Sequence, residues 1–98
     1  MNCKTIMAIL QDNRTQSAPK VQEILTKYGC NIRVRLGLHD VDEKNCSNEG
    51  LIILQLCGSD EDIQKLENEL NSLERVKAKR IILSFNDEID ELIQSIEP

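Results

Sequence analysis

The side chains best suited to chemistry are few. His39 is the only histidine, with Cys46 seven residues on and Cys57 at the end of the next apolar run. A soft divalent metal such as nickel or zinc accepts imidazole and thiolate ligands. If the stretches flanking residues 40–49 form a hairpin, His39 and a cysteine approach each other. Two or three ligands per chain close a site only with help from a neighbouring subunit. The alternative reading is therefore a nickel or zinc protein using His39, Cys46 and Cys57 across an interface; the main reading has no cofactor. A cysteine nucleophile with His39 as base is the one enzymatic arrangement on offer. Nothing in the sequence lowers a particular thiol's pKa, and there is no Ser/His/Asp order, glycine-rich phosphate loop or HExxH. The expectation is a protein that is not an enzyme.

Two further patterns fail on inspection. Asp40-Val41-Asp42-Glu43-Lys44 opens like a calcium loop, but Lys44 stands at a ligand position, Asn45 replaces the turn glycine and Leu51 ends the loop. Arg33, Arg35, Lys77, Lys79 and Arg80 could flank a nucleic-acid surface. RNA-binding sheets of this size stack bases on aromatics of their central strands, and the only aromatics here are Tyr28 and Phe85. Direct nucleic-acid binding is not expected.

Charge placement supports that exclusion. Residues 1–83 carry 12 acidic and 12 basic side chains; Asp87, Glu88, Asp90, Glu91 and Glu97 then supply the whole net charge of −5. An acidic balance disfavours non-specific nucleic-acid binding. With 98 residues, 40% apolar and 30% charged, the composition is that of one globular domain. No run reaches the roughly 20 apolar residues of a membrane span. MNCKTIMAILQDN turns polar too soon for a secretory signal, so the expectation is a cytoplasmic protein with no membrane association. Its four cysteines, none paired as CxxC, are then expected to be reduced thiols.

The positioning elements follow from hydropathy period. Residues 3–11 are nearly continuously apolar, as in a central strand. Pro19 suits a first helical turn and Ser17 can cap it; Val21, Ile24, Leu25 and Tyr28 mark the apolar stripe, and Gly29 suits a left-handed stop. Residues 31–39 alternate, placing Ile32, Val34, Leu36 and Leu38 on one face and Arg33, Arg35, Gly37 and His39 on the other: an edge strand with one solvated face. Residues 40–49 form a polar loop. Gly50 opens a second doubly apolar strand, LIILQLC. Ser59 and Asp62 signal a helix start, and Ile63, Leu66, Leu70 and Leu73 give its stripe. In residues 75–83 the parity slips between Val76/Ala78 and Ile81/Leu83, which predicts either a bulge near Arg80 or a strand end covered on both faces. Asn86 can cap a last helix with stripe Ile89, Leu92, Ile93 and Ile96.

The order βαββαβ, with two right-handed crossovers, predicts an α+β ferredoxin-like sandwich whose antiparallel sheet runs fourth–first–third–second strand. Residues 1–85 form that domain, and 86–98 an acidic C-terminal helix belonging to it. Both helices cover one sheet face. The central strands are apolar on the other face too, so a second subunit or the C-terminal helix must cover it. A homo-oligomer, dimer or tetramer, through the sheet is expected.

The run NRTQSAPKVQEILTKYGCNIRVRLGL, then GLIILQLCGSDEDIQKLENELNSLERVKAK, resembles the small regulators of the iron-only hydrogenase system. These are similar to stand-alone ACT domains and to the C-terminal ligand-binding domain of the nickel-responsive repressor. SAPKVQEIL, Arg35-Leu36-Gly37 and the closing segment Leu73 to Lys79 carry the resemblance, which spans most of residues 4–83. It implies an ACT-like fold, oligomerisation through sheets and a regulatory or effector-binding role; the sequence itself shows no ribbon-helix-helix or helix-turn-helix segment, so direct operator binding is not expected. The resemblance also implies a small-molecule effector near the first strand-to-helix loop, Asp12-Asn13-Arg14-Thr15. Asp12, Asn13, Arg35 and His39 are the candidate ligand-binding residues, with Arg35 neutralising an anionic group. Two departures stand out. The turn Ser72-Leu73-Glu74-Arg75 lacks the glycine common there in such proteins, and the acidic segment after Phe85 is an addition.

Overall fold

The computed structural model describes residues 3–13, 15–38 and 49–85, with the backbone of 41–42 and 45–46. Arg14, His39 and the expected C-terminal helix lie outside the described residues. The element order is β1 (Thr5–Asp12), α1 (Ser17–Lys27), a 3-10 turn (Gly29–Asn31), β2 (Ile32–Leu38), β3 (Val41–Asp42), β4 (Asn45–Cys46), β5 (Glu49–Leu56), α2 (Asp60–Asn71) and β6 (Val76–Ile82). The four long strands make one antiparallel-paired sheet in the order β2-β5-β1-β6, the expected arrangement. Within the segment expected as loop, β3 and β4 pair as a two-residue ribbon, Val41 opposite Cys46.

Both helices cover the same face. Met7 and Ile9 of β1, Ile52, Leu54 and Leu56 of β5, and Val76 and Ala78 of β6 meet Val21 and Leu25 of α1 and Ile63, Leu66 and Leu70 of α2. Alternation along each strand explains the selection: every second residue points at the helices. Ser59 caps α2, accepting the Asp62 N–H at 3.2 Å. The start of α1 is held differently. Ser17 is already helical; its N–H donates to Thr15 Oγ1 and its hydroxyl donates to the Glu74 carbonyl at 2.6 Å, tying α1 to the turn before β6. Gly29 does not take the left-handed conformation, since among the described glycines only Gly58 has positive φ. The chain leaves α1 through Tyr28 into the 3-10 turn. At Gly58, φ is +129° and a Cβ would lie 2.5 Å from Asn31 Nδ2, so a larger residue would displace the Asn31 side chain that donates to the Cys57 carbonyl.

Three further expectations are corrected. First, β6 has no bulge: it pairs with β1 without a break from Val76 opposite Gln11 to Ile82 opposite Thr5. Its parity slip arises because Ile81 and Leu83 are exposed on the face away from the helices. Second, the irregularity lies in β2, where register shifts between Ile32 and Val34. Ile32 packs with the helix-side core, while Val34 and Leu36 stand opposite Gln55 and Ile53 on the open face. The apolar side of this edge strand therefore faces away from the helices. Third, Cys3 and Cys57 form a disulfide, with Cα atoms 4.1 Å apart. Pairing of Thr5 with Leu56 carries the two cysteines together, so cross-strand register, not spacing along the chain, makes the bond possible.

Candidate functional site

The sheet's open face has a simple order. Across it run Val34–Gln55–Ile6–Ile81, Leu36–Ile53–Ala8–Lys79 and Leu38–Leu51–Leu10–Lys77. Three strands are largely apolar, and the β6 edge adds two lysines. Leu36 is 52% exposed and Leu10 42%. This pattern suits a surface meant to be covered.

At one end of the face the rows give way to charge. Asp12 ends β1 opposite Glu49, the first residue of β5. Beside them the chain enters β6 through Arg75 and Val76. Leu10, Gln11, Asp12, Glu49, Arg75, Val76 and Lys77 line a cleft of about 290 Å³. Its floor is built by backbone: the Asp12 N–H donates to the Arg75 carbonyl at 3.1 Å, and the Thr15 N–H to the Asp12 carbonyl at 3.2 Å. The Asp12 carboxylate, only 6% exposed, accepts from Arg75 Nε at 3.2 Å. Arg75 has φ of +58°, a conformation that costs a non-glycine residue of order 1 kcal/mol. This turn lacks the glycine that the resemblance leads one to expect. Gln11, buried behind Asp12, donates to Asn13 Oδ1 at 3.0 Å, while its own Oε1 is buried without a partner. Gly50 leaves room for this amide: a Cβ there would lie 3.3 Å from Gln11 Nε2.

The candidate residues are only partly brought together. Asp12 lines the cleft, and Asn13 follows it in the chain and accepts from the lining residue Gln11. Arg35 is not at the cleft: it stands opposite Leu54, itself in the row of Met7, five residues and two strands from Asp12. Strand dimensions make that separation roughly 15–20 Å. Arg35 also points to the helix side, where its guanidinium donates to Gln22 of α1. Arg80 does the same at the other sheet edge, donating to Gln64 of α2 at 2.7 Å. His39 lies outside the described residues, as does the Cys46 side chain. Cys57, held by Cys3, offers no thiolate in this form and sits at the far end of β5 from the β3–β4 ribbon. Among the described residues no three His, Cys, Asp or Glu side chains group as a metal site.

Glu49, Arg75 and Lys77 were not read as site residues from the sequence. Register would have found Glu49, since the expected strand order sets the start of the third long strand beside the end of the first. The missing turn glycine was the signal for Arg75.

Away from the cleft, α1 and α2 are joined by Lys27 and Glu69 at 2.8 Å. The hydrogen bond from Lys27, and then that from Tyr28, hold the Glu69 carboxyl below its usual value. The same Lys27 contact raises the lysine, and the hydrogen bond with Glu69 raises Tyr28. No helix among the described residues is long and apolar enough to cross a membrane.

No family model and no curated protein matches the chain. Among solved structures, it is similar to an uncharacterised protein from Thermotoga maritima, with 26% identity and a TM-score of 0.72 over 82% of this chain and 95% of that one.

Proposed function

We propose that the chain is a non-catalytic, ligand-sensing regulatory module of the ACT-like kind that works as a homo-oligomer. The observation that carries this reading is the shared border of the cleft and the apolar face: Leu10 lines the cleft and also belongs to the row Leu38–Leu51–Leu10. A small charged effector at Asp12, Asn13, Arg75 and Lys77 would therefore touch the same rows that a second copy covers. Ligand occupancy and assembly would then be linked, which is the physical requirement for sensing. The second copy is assigned to the Val34, Leu36 and Leu38 side, where the edge strand shows its apolar residues. The resemblance to hydrogenase-system regulators supports a regulatory role exerted through a partner rather than through a DNA-binding segment.

Native mass spectrometry on protein purified without chelator tests the reading. The expected result is a dimer or tetramer with an added small-molecule mass that Asp12→Asn reduces. Leu36→Asp should give monomer, because it places a charge in the covered rows. A wild-type monomer without adduct would overturn the proposal.

A further inference from the structure

One end of the sheet holds the charged cleft; the other holds sulfur. Cys3 precedes β1 and Cys57 follows β5, and their bond closes that end. Hydrogen bonds hold both cysteines independently of it. The Cys57 N–H donates to the Asn31 carbonyl at 2.8 Å, and Asn31 Nδ2 donates to the Cys57 carbonyl at 3.0 Å. The Cys3 carbonyl accepts from Gln55 Nε2 at 3.1 Å, and the next carbonyl, that of Lys4, accepts from the Leu83 N–H at 2.9 Å. The two residues differ in exposure: Cys57 is buried, whereas Cys3 is only half-buried. They differ in charged neighbours too. Arg33 is passed over where pairing moves from Ile32–Leu56 to Val34–Gln55. An extra residue of this kind re-aims its side chain, and the Arg33 guanidinium reaches Cys3 Sγ at 3.9 Å. A cation beside sulfur favours the thiolate, so Arg33 stabilises the reduced pair more than the bond. A disulfide whose reduced form is stabilised is the reducible kind.

We propose that Cys3–Cys57 is a thiol-exchange site, a redox-sensitive bond that small thiols of the glutathione type open and close, with Arg33 holding the Cys3 thiolate. An incoming thiolate attacks the more accessible Cys3 sulfur. The Cys3–Cys57 bond breaks, a mixed disulfide forms on Cys3, and Cys57 leaves as a thiolate that takes up a proton. A second small thiolate attacks the sulfur of the bound one; the pair leaves as the small-molecule disulfide, and Cys3 is released as a thiolate beside Arg33. Two electrons pass from the two small thiols to the protein bond. Closing is the reverse, with the small-molecule disulfide as oxidant. The hydrogen bonds of Asn31 and Gln55 keep both ends of the opened pair in place, so the domain stays folded. The site lies at the opposite end of the sheet from the cleft, and the inference stands apart from the ligand and oligomer readings.

Equilibration of the full chain in buffers of reduced and oxidised glutathione tests it, with acid quenching, alkylation and peptide mass spectrometry reading free Cys3 and Cys57. The expected result is reversible reduction at roughly millimolar reduced glutathione, with the far-ultraviolet circular dichroism unchanged. Arg33→Leu should lower the equilibrium constant for reduction about fivefold, as expected for unit charges about 4 Å apart in water, and Arg33→Lys should lower it less. High salt should act on the wild type in the same direction as Arg33→Leu. A bond that stays closed across the series, a fold lost on reduction, or an Arg33→Leu titration that overlies the wild type overturns the proposal. The Leu36→Asp chain should titrate as the wild type does. A shift there as large as that of Arg33→Leu would place the effect in assembly and overturn the proposal too.

Discussion

Asp12 and Arg75 stand 63 positions apart, yet one turn depends on both. The carboxylate is buried while the guanidinium side chain is 56% exposed, so solvent screening discounts the Coulombic part. Asp12→Asn should cost about 1 kcal/mol in urea denaturation, mainly as a weakened charge-assisted hydrogen bond. Arg75→Gly and Arg75→Ala lose the same ion pair, but only glycine relaxes the positive φ. The glycine variant should be the more stable of the two by about 1 kcal/mol; equal urea midpoints would mean that the backbone conformation costs nothing. Asn71 is a second residue of this kind. Its side chain donates to the Ala78 carbonyl at 3.0 Å and accepts the Ala78 N–H at 2.8 Å, acting as a short strand partner on the edge of β6. Asn71→Ala should lower stability by about 1–3 kcal/mol. The importance of Asp12 was suggested by a family resemblance. The roles of Arg75 and Asn71 were not legible, because each depends on which distant backbone its turn or helix end meets.

At the scale of elements, the hydropathy period placed both helices and all four long strands, since burial on one face imposes a period of 3.6 or 2. It placed Ile32 on one face with Val34, Leu36 and Leu38, whereas a register shift after Ile32 leaves Ile32 on the helix side and the other three on the open side. The contact between α1 and α2 has a definite pH signature. Glu69 lies below its usual 4.5, so its contribution is present above that pH and lost as pH falls through the lowered folded value. Lys27 lies above its usual 10.5, so its contribution is present below that pH and lost as pH rises through the raised folded value. Lys27→Met should therefore lower Tm slightly near neutrality. The difference from wild type should shrink in strong acid; a difference that persists at pH 2 would show that lost packing, not charge, is responsible.

For the whole molecule, the largest single constraint is the Cys3–Cys57 disulfide, which closes a loop of sequence separation 54. Loop entropy puts its contribution at up to about 4 kcal/mol, with about 2–4 typical. Cys57→Ser should lose that amount, and reductant should reproduce the loss in wild type but not in the variant. If reductant leaves the wild-type urea midpoint unchanged, the bond does not support the fold. The disulfide also locks the beginning of β1 to the end of β5, opposite the cleft, so the charged end of the sheet is free of this restraint.

The sequence by itself determined the order and type of the long elements, the strand order of the sheet and the existence of apolar residues on both its faces. These follow from local periodicity and from the handedness of crossovers, which require no knowledge of particular contacts. Tertiary structure alone decided which cysteines meet, which way Arg35 points and which charges share the cleft with Asp12. Those outcomes depend on register: a slip of one residue in a strand exchanges its two faces and moves every cross-strand partner.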